Sequence, residues 1–304
     1  MPTTDIENLD PATTGVTAVE ERTSREFAGL DALEVAEGPR DSRLRHLWSL
    51  TWPKLAAIGL GLFLWQCVVW SGWKPDYLLP GPAAVFSTLW EYIQEGRLQE
   101  AMWITLGRAA KGYALALVIG VGIGSLVARI KVLRVAFGSL ITGIQTMPSI
   151  AWFPLAILLF QLSERAIMFV VIIGAAPSIA NGLIAGSDNI PPILLRAGRA
   201  LGAKGFSNYR HIVLPASLPY FVGGMKQGWA FAWRSLMAGE LLVVIAGRES
   251  IGVLLQTNRN LQNADGLLAV MIAILVIGIV VDSLVFGTLD RAIRRRWGLL
   301  DPGL

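Results

Sequence analysis

Residues 196–215 read RAGRALGAKGFSNYRHIVLP, a polar island carrying four cations, Arg196, Arg199, Lys204 and Arg210, between two strongly hydrophobic blocks. Blocks that apolar belong in a membrane, so the island is where something soluble takes hold. Pro191 and Pro192 stand just ahead of it, and proline suits the first turn of a helix, where a missing N–H costs nothing; Asp188 or Asn189 is placed to cap that start. The spacing predicts a helix from about Ile193, with Ile193, Ala197, Ala200 and Leu201 on one apolar stripe and Arg196 and Arg199 off it. Gly202 ends its last turn. A second short helix is expected over residues 206–213, stopped by Pro215, so that two small helices fold against each other.

Composition places the rest. The 304 residues are 54% hydrophobic and only 16% charged, well above the apolar share of a soluble domain. Residues 1–53 hold 5 basic against 10 acidic side chains, whereas the remainder holds 21 against 12, so the membrane part is basic. Cys67 is the single cysteine and lies in an apolar run, which excludes an intrachain disulfide and a cysteine-based metal cluster. His46 and His211 are far apart and read as surface or interface residues. Residues 1 to about 40, rich in Thr, Glu, Ala and Gly, cannot bury enough surface to offset chain entropy, and a disordered acidic tail is expected over 1–53, ending in a basic collar of Arg40, Arg43, Arg45 and Lys54. The tail lacks the pattern of a cleaved secretory signal, so the first span is expected to be retained.

Six spans are predicted, making an all-α integral membrane protein whose spanning domain covers 54–290. Span one follows Lys54 as LAAIGLGLFLWQCVVW, bracketed by Trp48, Trp52, Trp70 and Trp73 as interface anchors. Residues 74–101 read as a loop bearing a short amphipathic helix over 83–93. Span two covers about 103–128, with Gly107, Gly112, Gly120, Gly122 and Gly124 offering small faces for helix packing. Span three, about 135–160, is interrupted at Met147-Pro148 and Phe153-Pro154, and span four, about 166–186, contains Pro177. Spans five and six cover about 218–246 and 267–286, and the chain ends in a basic stretch over 291–304. The collar, the 129–134 turn, the 188–217 loop between spans four and five, and the C-terminus then share one face. By the positive-inside rule that face is cytoplasmic and holds both termini, in a cell membrane.

The chain contains no Gly-rich phosphate loop ending in Gly-Lys-Ser/Thr, and no paired carboxylates, nucleophile with base, or metal-ligand set at useful spacing. Neither catalysis, a metal nor a cofactor is expected of it, and nothing suggests a nucleic acid. On span five, Lys226, Ala230, Trp233, Met237 and Glu240 recur at helical spacing, with Arg234 beside them inside the bilayer. Ionisable groups there usually face a bundle interior or a water-filled cavity. With Arg108 and Lys111 the buried charge leans positive, suiting an anionic solute; equally, these cations can pair with Glu240 and Asp282 to hold helices together. Gln145, Ser178 and Asn181, near the broken prolines, are further path candidates, or else polar helix-to-helix contacts.

From Arg196 the island runs Arg-Ala-Gly, three residues, Gly202, nine residues, then Ile212-Val-Leu214-Pro215. This resembles the Glu-Ala-Ala, Gly, Ile-x-Leu-Pro signature of ABC importer permeases. TMPSIAWFPLAILLF and LGAKGFSNYRHIVLPASLPYFVGGMKQGWAFAWRSLMAGELL look like its nitrate, sulfonate, taurine and bicarbonate branch, and the resemblance covers about residues 75–298. It implies a loop whose short helices enter a cleft of a separate ATPase subunit, with Arg196, Ala197, Gly198, Gly202, Ile212, Leu214 and Pro215 at the signature positions. Arg196 reverses the charge of the family's glutamate, and Gly198 replaces its second alanine. The resemblance also implies the partners: two copies of a cytoplasmic ATPase that binds the ATP, a second copy of this chain, and an extracytoplasmic binding protein delivering a small oxyanion. A stand-alone carrier driven by an ion gradient, or a membrane anchor without transport, are the other readings. Against the carrier stands the lack of recognisable inverted halves.

Overall fold

A computed structural model describes residues 43–296 apart from Ala246. Of the disordered tail expected over residues 1–53, residues 1–42 lie outside the described residues, as do residues 297–304 of the basic C-terminus, while residues 43–53 are helical. The described residues form helices and no strand. In chain order they are α1 (Arg43–Trp70), α2 (Pro82–Gln94), α3 (Arg97–Arg129), α4 (Lys131–Thr146), and a 3-10 turn (Ser149–Trp152) that runs into α5 (Phe153–Phe160). There follow α6 (Glu164–Asp188), α7 (Pro192–Ala200), α8 (Gly205–Asn208), a π turn (Tyr209–Val213), α9 (Leu214–Leu242), α10 (Ile251–Asn260), α11 (Ala264–Val281), a second π turn (Asp282–Phe286) and α12 (Gly287–Arg296).

Residues up to Leu64 form one unit and those from Trp65 a second. In the first, Leu55, Ile58, Leu60, Phe63 and Leu64 are all more than half exposed, as on a face that meets hydrocarbon or another protein. Among the described residues, four helices are long and apolar enough to cross a membrane: Thr51–Trp70, Arg97–Arg129, Glu164–Asp188 and Ala264–Ile293. The interruption expected in span three is a bend of 100° between Val132–Thr146 and Ser149–Phe160. Pro148 causes it, because the residue before a proline is driven out of the helical region, and Met147 is extended at φ −69°, ψ 133°. At 29 residues, α9 is long enough to cross, but with its glycines, prolines, tryptophans and Gln227 beside Lys226, Arg234 and Glu240 it is less apolar than those four.

The second unit is organised about α6, which packs on α3 along one side and on α9 along the other. Small residues set both contacts. A Cβ at Gly112 would lie 2.8 Å from Val171 Cγ1, at Gly120 2.8 Å from the Ala176 carbonyl oxygen, and at Gly124 2.9 Å from that of Ala180. Gly107 and Gly122 meet nothing within 4 Å, so of the five glycines expected to pack, only those on the four-residue stripe do. Against α9, the crossing is glycine on glycine, with a Cβ at Gly182 falling 2.6 Å from Gly224 Cα. Because backbone rather than a movable side chain opposes it, Gly182→Ala is expected to cost about 1–3 kcal/mol, read as a lower unfolding midpoint in detergent. An unchanged midpoint would mean the two helices are further apart than this.

Two local expectations are corrected. Pro215 does not stop a second short helix: the chain is helical from Gly205 through the π turn into α9 without a break. In an α-helix the proline ring would strike the carbonyl four residues back. Here the turn widens first, and the Leu214 N–H bonds the Tyr209 carbonyl, five residues back. Nor does Asp188 or Asn189 cap α7. Its N-cap is Pro191, while Asp188 pairs with Arg134 and the Asn189 side-chain amide donates to the Ala185 carbonyl, closing α6 instead.

Candidate functional site

The signature island is a knob with a fixed internal geometry. Helix α7 ends in a Schellman turn: the Ala203 N–H bonds the Gly198 carbonyl at 2.9 Å, the Gly202 N–H bonds the Arg199 carbonyl at 3.1 Å, and Gly202 sits at φ +80°. That left-handed φ is available to glycine without strain. Gly198, the one buried residue of α7, faces the chain as it returns, and a Cβ there would collide with Ile212 Cδ1. The glycine in place of alanine leaves room for the end of the Ile212 side chain. The opposite face of α7 is bare: Ile193 is 71% and Leu201 87% exposed, with Arg196, Ala197, Arg199 and Ala200 exposed around them. The knob is tied to the end of α3, where the Arg129 guanidinium lies 4.6 Å from the centre of the Tyr209 ring. Leu214 and Pro215 line a cavity of about 340 Å³ where the returning limb enters α9.

At the opposite end of α9 the charges gather into a buried knot. Glu240, wholly buried, accepts from Arg108 Nη1 at 2.9 Å, from Thr105 Oγ1 at 2.9 Å and from the Gly252 N–H at 3.0 Å. Arg108 also forks onto Glu164, with Nη2 at 2.7 Å from Oε1 and Nε at 2.9 Å from Oε2, and Arg248 approaches Glu164 at 3.5 Å. Two cations meet two carboxylates, so each buried charge is compensated. The knot joins α3, α6, α9 and α10. Of its members, Thr105, Glu164, Arg248 and Gly252 were not singled out in the sequence. Gly252 is required because a Cβ there would collide with Glu240.

The remaining path candidates separate by exposure. Ser178 is buried between α6 and α9, and Trp233 is buried in an aromatic stack with Trp229, ring centroids 6.2 Å apart. The Asn181 amide donates to Gln145 Oε1 at 2.6 Å, joining α6 to α4 just before the Met147-Pro148 bend. Lys226 and Arg234 are exposed; Lys226 Nζ is 3.1 Å from Asp282 Oδ2. The face drawn from Lys226 to Glu240 is therefore open at one end and covered at the other, where α10 folds back over it.

Residues 116–295, more than half of the chain, match the family model described as binding-protein-dependent transport system inner membrane component. Among curated relatives, a putative ABC transporter permease protein of Methanocaldococcus jannaschii is 29% identical over 233 residues, 75% of this chain and 86% of that one. The bicarbonate transport system permease protein CmpB of Synechococcus elongatus is 27% identical over 76% of this chain and 85% of its own. The nitrate import permease protein NrtB of Synechocystis is 25% identical over 75% and 84%. Among solved structures, an inward-facing conformation of the MetNI methionine ABC transporter aligns with a TM-score of 0.55 at 21% identity, over 64% of this chain and 95% of that chain, a likeness of fold.

Proposed function

Because the chain belongs to the binding-protein-dependent transport system inner membrane component family, we propose that it forms the membrane path of an ABC importer for a small oxyanion and takes its energy from a separate ATPase through the knob at residues 192–215. The bare apolar stripe on α7 carries this reading. Soluble surroundings would not favour Ile193 and Leu201 standing bare at the two ends of α7, about 12 Å apart along the helix, and a cleft on a partner would bury them. Arg196 and Arg199 flank the stripe and would meet acidic groups at the rim of that cleft. Ala197, Gly198 and Gly202 shape the knob, and Ile212, Leu214 and Pro215 join it to α9.

The chain itself would supply no catalytic residue, metal or cofactor site, the ATP being held by the partner. Six crossings follow if the bent α4–α5 segment and α9 each count as one, which puts both termini and the knob on the cytoplasmic side. Two copies would enclose the path above two ATPase subunits, with an extracytoplasmic binding protein delivering solute. The oxyanion assignment rests on surplus positive charge in the membrane and on relatives named for bicarbonate and nitrate.

Ile193→Asp and Leu201→Asp test the coupling. Both side chains are solvent-exposed, so folding should be unaffected, while an aspartate forced into an apolar cleft should reduce recovery of the ATPase with the tagged chain by roughly tenfold or more, each tenfold being about 1.4 kcal/mol of binding. Undiminished recovery of a phosphate-loop partner with both variants would remove the stripe from the contact.

A further inference from the structure

The outward surfaces of the apolar spans are what lipid requires: Leu115, Val118, Ile119, Ile123 and Leu126 on α3, and Leu275, Val276, Ile279 and Val280 on α11. Helix α9 differs. Its exposed residues there are Pro219, Tyr220, Gly223, Lys226, Gln227, Ala230 and Arg234, among which Tyr220, Gln227 and Arg234 recur every seventh residue and keep one face. Depth makes this significant. Ser235, the next residue, packs against Gly174 of α6, where a Cβ would lie 2.6 Å from Ser235 Oγ. Gly174 is about 15 Å along the helix from Glu164 and about 21 Å from Asp188, so Arg234 stands near mid-membrane.

Arg234 is also uncompensated. Its Nε donates to the Ala230 carbonyl at 3.0 Å and its guanidinium lies 4.7 Å from the centre of the Phe231 ring, but among the described residues no carboxylate pairs with it. Lys226 is neutralised by Asp282, and Arg108 by Glu240 and Glu164. A bare guanidinium at mid-depth cannot face hydrocarbon; such groups face a partner or a water-filled cavity.

We propose that the stripe Tyr220–Gln227–Arg234 is a water-lined wall of the path, on which the Arg234 guanidinium binds a small monovalent oxyanion and selects for negative charge. This rests on the reading of the chain as a permease. The two free Nη groups present a planar fork that matches two oxygens of a carboxylate, bicarbonate, nitrate or sulfonate. Gln227 adds a donor about two turns away, and Gly223 and Ala230 leave room beside it.

The single cysteine makes the test direct. In a Cys67→Ser background, Ala230→Cys places a thiol one turn from Arg234, and Gly223→Cys, where a Cβ meets nothing within 4 Å, places a second reporter about 16 Å away. Membranes holding the assembled transporter are treated with a negatively charged sulfonatoethyl or a positively charged trimethylammonioethyl methanethiosulfonate. Both reagents should label position 230, with the anion favoured by about tenfold after correction for intrinsic reactivity, and with a smaller preference at 223. Adding Arg234→Gln should abolish the preference and Arg234→Lys should retain it. Thiols inert to both reagents, as in a dry contact between copies or a lipid face, would overturn the proposal. So would a preference that survives Arg234→Gln. Recovery of the ATPase from the same membranes reports separately on the coupling, so either reading can fail without the other.

Discussion

Glu240→Ala is expected to lower the unfolding midpoint of the purified protein by about 10 °C. The carboxylate is wholly buried and answers three donors on two other elements: Arg108 and Thr105 of α3, and the Gly252 N–H at the start of α10. Removing one partner of a buried pair costs about 3–5 kcal/mol, and a chain of this size loses about 2–4 °C per kcal/mol. Glu240→Gln, which keeps an acceptor of the same shape, should lose less. In the double variant Glu240→Gln, Arg108→Gln, the losses should fall short of their sum, since the remaining charge, Glu164, is partly exposed and keeps Arg248 beside it. A midpoint unmoved by Glu240→Ala would show that the knot is not closed in the folded protein.

Gly198→Leu should cut solute uptake by whole membranes at least about tenfold while leaving the spans folded, because it alters only the knob. The glycine lies against Ile212, and the crowding atom is the end of a movable side chain. Gly198→Ala should therefore be nearly silent, as Ile212 rotates away. A leucine cannot be accommodated by rotation and would splay the limbs, moving Ile193 and Leu201 relative to α9; overpacking of this kind costs about 1–3 kcal/mol locally. Shortening the opposing side chain with Ile212→Ala should restore part of the uptake. Full uptake with Gly198→Leu alone would separate the packing of the knob from transport, and absence of rescue would implicate the backbone rather than Ile212.

What could be read from the sequence follows from what single-chain patterns encode. Apolar runs mark α1, α3, α6 and α11 because hydrocarbon thickness demands unbroken length, and Gly202 marks the end of α7 because few other residues tolerate its φ. The spacing of glycines indicated packing in span two but could not choose among them; partners on α6 decide that Gly112, Gly120 and Gly124 are contacts and Gly107 and Gly122 are not. The covered end of the Lys226-to-Glu240 face was not legible either. Its burial depends on α10, a ten-residue helix whose apolar residues stop at Leu255 and which is too polar to stand out as a span, held by Gly252 against Glu240. Proline misled at position 215, since its effect depends on whether the preceding turn can widen, and nothing local to Pro215 announces that it does.

The unbroken run from the knob into α9 has a mechanical consequence. From Ile212 to Glu240 the chain is a rod about 42 Å long, pinned at its far end by the ionic knot and, under the proposed coupling, pushed at its near end through α7. Arg234 lies only about 9 Å from that pin. If the rod swings as one piece, a 5 Å stroke at the gripped end arrives at Arg234 as a shift of about 1 Å, by simple proportion along the helix. That is enough to lengthen a charge-assisted hydrogen bond past its useful range and far too little to drag the side chain out of the path. A lever with these arms would loosen a bound ion on each stroke while keeping the filter in place.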